Sequence, residues 1–147
     1  MEKVADVLGR KYPQFNTTTP DHLVSDALYQ MCAENVDFLI VLDQERFSGI
    51  LSGSEIANKV LFLGKPLNEV PVKEMMNTNL PVVTLQDSIE YCMQLLEQYK
   101  AKYLVVYEHF DFKGVVTGQD IMQEALSKRN AVFADAPPTD QSLTWSY

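Results

Sequence analysis

Two short motifs in this sequence place a hydroxyl side chain three residues before a carboxylate, directly after an apolar run. The motifs are Ser52-x-x-Glu55 and Thr117-x-x-Asp120. A carboxylate accepts hydrogen bonds from the vicinal hydroxyls of a ribose, and charge-assisted bonds of this kind are stronger than neutral ones. A hydroxyl at the start of a helix, beside unpaired backbone N–H groups, suits a phosphate oxygen. The motif Thr117-x-x-Asp120 can therefore hold both ends of a ribose phosphate.

The same spacing also has a purely structural interpretation. A hydroxyl residue followed three residues later by an acidic residue is a helix capping box, in which each side chain bonds the backbone N–H of the other residue. Taken alone, the motif favours this structural interpretation. Ser52 and Glu55 fit it better than Thr117 and Asp120, because the usual capping box carries glutamate or glutamine.

The two motifs belong to a longer internal repeat with a constant spacing, which we call the repeat offset. It takes residues 49–55 onto residues 114–120, and it holds along the chain without a gap. It pairs Val24 with Ile89, Leu39 with Leu104, Val41 with Val106, Phe47 with Phe112, and Gly53 with Gly118. A repeat of this kind indicates two similar halves. Because neither half buries enough apolar surface alone, we expect the halves to pack together.

The spacing of apolar residues predicts the same order of elements in each half, namely strand, helix, strand, strand, helix. In the first half these are a strand at 15–19, a helix from Asp21 or His22, strands at 38–42 and 47–51, and a helix at 52–63. In the second half they are a strand at 81–85, a helix at 87–99 capped by Asp87, strands at 103–107 and 112–116, and a helix at 117–128. This order predicts an α/β fold.

The 147-residue chain has the length of one domain made of two repeats. We expect residues 1–66 to form the first repeat with an N-terminal lead-in, and residues 67–129 to form the second. Residues 130–147 form a turn-rich tail, extended or docked, that ends in an aromatic run. Tryptophan and tyrosine are common interface anchors, so the tail can dock on its own domain or on a neighbouring subunit. A frayed terminus is an equally supported alternative.

The charge balance excludes some classes of partner. Twenty acidic and twelve basic residues give a net charge of −8, which disfavours nucleic acids and anionic membrane surfaces. No apolar run approaches the roughly 18 residues of a spanning helix, and the N-terminus lacks the apolar stretch of a signal peptide, so we expect a cytoplasmic protein with no membrane insertion. Cys32 and Cys92 are isolated, which predicts no metal site and reduced thiols in or near the core.

Catalysis by this chain is not expected. His22 lies at a predicted helix start and His109 in a predicted hairpin turn, and both positions are typical of surface residues. Neither histidine has a neighbouring pattern that indicates a nucleophile or a general base. The sequence also contains no glycine-rich phosphate loop, GxSxG elbow or HExxH motif.

The two halves share an ordered set of short motifs between residue 4 and about residue 128. In the first half these are Thr17-Thr18-Thr19-Pro20, Val24-x-x-Ala27-x-x-x-Met31, the strand at 38–42, and Gly49-Ile50-Leu51-Ser52 with Glu55. In the second half they are Ile89-x-x-Cys92-x-x-x-Leu96, the strand at 103–107, and Gly114-Val115-Val116-Thr117 with Asp120. In this set the chain resembles a tandem pair of CBS domains, or Bateman module. The resemblance implies two βαββα repeats related by a pseudo-twofold axis in one disc.

The resemblance also implies two ligand clefts between the repeats. In the first cleft Thr117 and Asp120 would hold the ribose phosphate, Val115 would form an apolar wall for the base, and Val36 and Asp37 would contribute from the other half. The second, weaker cleft would use Ser52, Glu55, Ile50, Ala101 and Lys102. Glu55 departs from the family's aspartate, and its extra methylene displaces its carboxylate from the ribose position.

Such modules commonly bind adenosine-containing ligands, regulate a partner and form dimers. Few cations lie near the first cleft; the candidates are Lys3, Arg10, Lys11, Lys128 and Arg129. Because di- and triphosphates usually need such cations, an AMP-like ligand is expected ahead of ADP or ATP, with S-adenosylmethionine as another candidate. No cofactor is required, and we expect a homodimer with an unidentified effector protein. The alternative function is a ligand-free dimerisation or protein-interaction module.

Overall fold

A computed structural model describes residues 2–10 and 15–132 of the chain. The first half contains α1 (Val4–Arg10), β1 (Thr17–Thr18), α2 (Val24–Glu34), β2 (Phe38–Asp43), β3 (Arg46–Ser52) and α3 (Gly53–Leu63). Two 3₁₀ turns follow, Leu67–Glu69 and Val72–Glu74. The second half contains β4 (Val82–Thr84), α4 (Ile89–Tyr99), β5 (Tyr103–Glu108), β6 (Asp111–Thr117) and α5 (Gly118–Val132). The described residues thus form the mixed α/β fold that the sequence predicts.

Each half builds one three-stranded sheet, and the two sheets have the same pairing. The first strand of each sheet is parallel to the second, which is antiparallel to the third. Thr17 pairs with Ile40 in the first sheet, and Val82 pairs with Val105 in the second. The repeat offset takes the first pair onto the second, so the repeat predicted from the sequence extends to the strand register.

The two hairpin turns are equally similar, although neither contains glycine. Gln44 and Glu45 have φ of 51° and 69°, while His109 and Phe110 have φ of 50° and 70°. Two successive left-handed residues are typical of the type I′ turn, which matches the twist of antiparallel strands. Both halves therefore keep a turn conformation that glycine and asparagine usually supply.

The segment that leads into each half packs on the other half. The backbone N–H of Val4 donates to the carbonyl of Asp87 at 2.9 Å, and that of Val72 donates to His22 at 2.7 Å. The repeat offset takes His22 onto Asp87, but it takes Val4 onto Glu69 rather than Val72, so the connection after the first lead-in is three residues longer. Val4 and Val7 accordingly lie in the core of the second half. The lead-ins are thus exchanged between the halves.

The two sheets meet along residues that occupy equivalent positions. Their shared core contains Ile40, Ile50 and Val115. At one end the rings of Phe38 and Tyr103 lie 4.7 Å apart, and at the other Phe47 and Phe112 stack at 5.0 Å. Each ring pair joins two positions related by the repeat offset, which places the pairs near a pseudo-twofold axis.

Several details differ from the sequence predictions. Helix α4 is capped by Ser88, whose hydroxyl accepts from the N–H of Tyr91, because the Asp87 carboxylate instead accepts from the N–H of Thr84. Cys92 is buried as predicted, whereas Cys32 is exposed because it lies on the outer face of α2.

The helix boundaries also differ from the prediction. Helix α2 begins at Val24, because the 3₁₀ turn at Val72–Glu74 bonds the preceding backbone at Pro20 and His22. Helix α5 continues to Val132, and the rest of the predicted tail, 133–147, lies outside the described residues. Among the described helices, none has both the length and the apolar character needed to cross a bilayer.

Candidate ligand-binding site

The turn from β6 into α5 is closed by reciprocal hydrogen bonds between Thr117 and Asp120. The backbone N–H of Thr117 donates to Oδ2 of Asp120 at 2.9 Å, and the N–H of Asp120 donates to Oγ1 of Thr117 at 3.0 Å. The carboxylate is also favoured by the partial positive charge of the helix N-terminus. The capping box therefore fixes the Asp120 carboxylate in the first turn of α5.

The equivalent turn from β3 into α3 is only half closed, so the expectation that Ser52 and Glu55 form the better capping box is wrong. The Ser52 hydroxyl, which belongs to a residue that is 2% exposed, accepts from the N–H of Glu55 at 3.2 Å. The Glu55 carboxylate instead lies 3.4 Å from Nζ of Lys59, one helical turn further on. Lys59 also donates to the backbone carbonyl of Met75 at 3.1 Å, next to the lead-in of the second half.

A cavity of about 330 Å³ lies where the two halves meet at the starts of β2 and β5. Its lining residues come from both halves: Asp37, Ala101, Lys102, Tyr103, Thr117, Gly118 and Gln119. We call it the junction cavity. Packing of Phe38 against Tyr103 brings the segments before β2 and β5 together. Burial raises the pKa of Tyr103, and the negative charge of Asp37 raises it further.

A second cavity, of about 280 Å³, lies between α1 and α5. Its lining residues are Val7, Arg10, Asp120, Gln123, Glu124 and Ser127, and we call it the α1–α5 cavity. Nη1 of Arg10 bonds both carboxylate oxygens of Glu124, whose side chain is 5% exposed. Nη2 of Arg10 also lies 3.6 Å from a Glu2 carboxylate oxygen. The hydrogen bond from Arg10 to Glu124 raises the pKa of Arg10 above its ordinary value.

The turn from Thr117 to Asp120 thus lies between the two cavities. Thr117 lines the junction cavity, and Asp120 lines the α1–α5 cavity. Both volumes are close to the lower end of those found for small-molecule sites, about 300–1,000 Å³. The arrangement offers an anchored carboxylate, a hydroxyl and an arginine within one short helical segment and its neighbours.

Known proteins share sequence and architecture with this chain. The family model of the CBS domain matches residues 72–127, which contain Thr117 and Asp120. Residues 72–127 of this chain form a CBS domain. The CBS domain-containing protein YhcV of Bacillus subtilis strain 168 is 26% identical over 118 residues, which cover 80% of this chain and 84% of the relative.

Solved CBS structures share the fold. The CBS domain structure NE2398 has a TM-score of 0.79 and 28% identity, and the match covers 86% of this chain and 99% of that one. The CBS domain pair of protein MJ0100, solved in complex with 5′-methylthioadenosine and S-adenosyl-L-methionine, has a TM-score of 0.71 and 20% identity. That match covers 87% of this chain and 98% of MJ0100. CBS domain proteins are regulatory, and these three are named for their domains rather than for a reaction.

The residues predicted for the first cleft lie in several different parts of the structure. Asp37 and Thr117 line the junction cavity, and Asp120 lines the α1–α5 cavity. Val36 packs against the core of the first CBS repeat. Val115 is fully buried in the core shared by the two sheets. The packing roles of the two valines are therefore observed, while a role in contacting a ligand stays a prediction.

The residues predicted for the second cleft also lie in different parts of the structure. Ala101 and Lys102 line the junction cavity beside Asp37 and Thr117, because the pseudo-twofold axis brings both segments to one place. The sequence analysis assigns these four residues to two clefts, and that assignment stays a prediction. Ile50 is buried in the shared core, and Ser52 and Glu55 form the half-closed turn described above.

Sequence reasoning missed Glu124 and Tyr103. Glu124 is a carboxylate on the inner side of α5, three residues after the buried Ile121, and this placement was a signal that it has a charged partner. Its equivalent in the first repeat is Lys59. Tyr103 is the equivalent of Phe38 in the first repeat. Because a buried tyrosine hydroxyl usually has a polar partner, this difference indicates a polar environment in the second repeat.

Proposed function

We propose that the chain is a regulatory module that binds an adenosine-containing ligand between its CBS repeats and signals to an effector protein. The observation that carries the proposal is the placement of Asp120. Its carboxylate is fixed by Thr117 and lines a cavity with Arg10, and the neighbouring junction cavity contains residues of both repeats. A carboxylate in this position can accept hydrogen bonds from both ribose hydroxyls.

The mechanism would be differential binding. A ligand that touches Asp120, Thr117 and Asp37 contacts both repeats at once, so it stabilises one relative arrangement of them. The exchanged lead-in α1 lines the same region, because Val7 and Arg10 line the α1–α5 cavity together with Asp120. Ligand binding would thus be transmitted to α1, and a partner that contacts α1 or the helices can sense it. No residue of the site is assigned a catalytic role.

The sequence favours an AMP-like ligand, and the complex of MJ0100 supports adenosine-containing ligands without a phosphate. A thermal-shift screen with AMP, ADP, ATP, S-adenosylmethionine, 5′-methylthioadenosine and NADH tests this range. A ligand at about 100 times its Kd adds roughly 2.7 kcal/mol to the free energy of unfolding, which raises Tm by several degrees. No shift with any ligand at millimolar concentration would reject the proposal.

The repeat supplies a matched control for this screen. Asp120→Ala should abolish the ligand-induced shift, whereas Glu55→Ala removes the equivalent carboxylate of the other repeat and should leave most of the shift. Equal effects of the two substitutions would mean that the ligand does not lie at Asp120. The shift in each variant is compared with that variant's own Tm without ligand, which separates binding from stability.

A second candidate function, assembly, is favoured by exposed apolar residues on the helices. A groove of about 500 Å³ between α4 and α5 is lined by Met93, Leu96, Ile121 and Met122, among others. At the end of α3, Leu61 and Phe62 are 85% and 87% exposed. We propose that these helices mediate a homodimer, with or without a bound ligand. Light scattering of Met122→Lys and Phe62→Ser should show a mass lower than that of the wild type; unchanged dimers would exclude these helix faces.

A further inference from the structure

Arg10 is the one positive side chain among the described residues that line the α1–α5 cavity. Two acidic side chains, Asp120 and Glu124, line the same cavity. They lie four residues apart on α5, so they occupy the same side of the helix. Arg10 bonds both oxygens of Glu124, and its other nitrogen lies 3.6 Å from Glu2. Arg10 is therefore engaged by carboxylates before any ligand arrives.

The side chains of Arg10 and Glu124 differ in exposure, and this difference determines which of the two can move away from the ion pair. The side chain of Arg10 is 59% exposed, whereas that of Glu124 is only 5% exposed. Removing Arg10 from Glu124 would leave a buried carboxylate without its cation, which is strongly unfavourable in proteins. A ligand phosphate must compete with this buried carboxylate for the same guanidinium, and it also meets the negative charges of Asp120 and Glu2.

We infer that Glu124 sets the charge selectivity of the site, so that an adenosine compound without a negative charge binds more tightly than a nucleotide phosphate. The inference rests on the proposed function and narrows its ligand class. Uncharged nucleosides and cationic sulfonium nucleosides keep the ribose contact with Asp120. They do not require Arg10 to leave Glu124.

The comparison with the first repeat supports this role for Glu124. At the equivalent position Lys59 neutralises Glu55 and donates to the carbonyl of Met75. The second repeat has a carboxylate at both equivalent positions, and its cation comes from the lead-in α1. The same two helical positions thus carry one carboxylate and one lysine in the first repeat and two carboxylates in the second. The two carboxylates line the α1–α5 cavity.

Isothermal titration of adenosine and AMP into wild-type protein and three variants tests the inference. We expect wild-type protein to bind adenosine about tenfold more tightly than AMP, and Glu124→Gln to remove most of that difference by tightening AMP binding. Tenfold is the order expected for one unit charge a few ångströms from a phosphate in a partly solvated site. The double variant Arg10→Gln/Glu124→Gln removes both charges and should restore the preference for adenosine. Glu45→Gln, an exposed glutamate in the distant β2–β3 turn, should bind as the wild type does.

The outcomes separate the inference from the proposed function. AMP binding as tight as adenosine binding in the wild type would overturn the inference while supporting the adenosine site. An equal change of both affinities in Glu124→Gln would also overturn it, since a loss of stability affects both ligands alike. Binding of neither compound to any of the four proteins would overturn the proposed function and the inference together.

Discussion

The two turns at Ser52–Glu55 and Thr117–Asp120 occupy equivalent places in the repeat but differ in how their charges are satisfied. In the first, Glu55 pairs with Lys59 on the same helix. In the second, Asp120 folds back onto the N–H of Thr117, and Glu124 bonds an arginine from a distant segment. The first turn is locally neutral and self-contained. The second depends on α1, because Arg10 of α1 supplies the cation that pairs with Glu124.

The largest effect on stability is expected at the glycines that precede these turns, Gly49 and Gly114. A Cβ at Gly114 would lie 2.5 Å from a ring carbon of Phe15, and its φ of 150° is one that side chains rarely adopt. A Cβ at Gly49 would lie 2.8 Å from the backbone oxygen of Asn77, without that φ penalty. We expect Gly114→Ala to lower the free energy of unfolding by about 3 kcal/mol and Gly49→Ala by about 2 kcal/mol.

Urea denaturation of both glycine variants measures this difference. If Gly49→Ala costs more than Gly114→Ala, the backbone contact with Asn77 is stiffer than the side-chain contact with Phe15. That result would reverse the expected order of the stability costs at Gly114 and Gly49. Changes in the slope of the transition would reveal effects on the unfolded state rather than on these contacts.

An intermediate effect is expected at Cys92, whose equivalent in the first repeat is Ala27. Burial raises the pKa of the Cys92 thiol from 9.0 to about 11. The folded state thus holds the proton more tightly than the unfolded state. The resulting stabilisation is complete below about pH 9 and is lost as the pH rises through about 11. Each pKa unit corresponds to about 1.4 kcal/mol, so the loss approaches about 2–3 kcal/mol.

Unfolding curves of wild-type protein and Cys92→Ala between pH 8 and 11 isolate this effect. The variant carries the alanine of the first repeat and should lose less stability over that pH range than the wild type. Tyrosines and lysines titrate in both proteins, so only the difference between the two curves is informative. Parallel curves would show that the Cys92 thiol does not contribute to the alkaline transition.

The smallest effects are expected from the two carboxylates in the absence of ligand. Asp120→Ala removes a charge-assisted bond to the N–H of Thr117 and should cost about 1 kcal/mol. Glu55→Ala removes a solvent-accessible pair with Lys59 and should cost about 0.3–0.5 kcal/mol, decreasing with added salt. Thermal unfolding of the two variants measures both costs. A smaller cost for Asp120→Ala than for Glu55→Ala would contradict the contrast between a helix cap and a surface ion pair.

The sequence predicts the elements that are local to one repeat and does not predict how segments cross between repeats. Thr17 and Val82, which the repeat offset relates, pair at equivalent registers, because apolar alternation and turn positions fix the register of a buried strand. The exchange of the lead-ins depends on packing between residues such as Val4 and Ile89, which are far apart in the chain. A periodic pattern contains no information about that partner.

The same limit applies to the candidate site. The motif Thr117-x-x-Asp120 is visible in the sequence, and its capping geometry follows from its spacing. Arg10 was among the candidate cations, but its bond to Glu124 arises only when α1 lies against α5. Ser88 rather than Asp87 caps α4 because tertiary structure directs Asp87 back to Thr84. Residues whose role depends on a single element were predictable, and those that join two elements were not.

The exchange of the lead-ins has a consequence for synthesis on the ribosome. Val4 is made early, yet its backbone partner Asp87 leaves the ribosome only after the whole first repeat and the start of the second have been added. At about 5–20 residues per second, the first helix waits for several seconds without its native contacts. The nascent first repeat likewise lacks Val70 and Val72 until the linker emerges. The first repeat can therefore complete its core once the linker emerges, whereas the core of the second repeat joins Val4 to Ile121 and forms only after the start of α5 has been made.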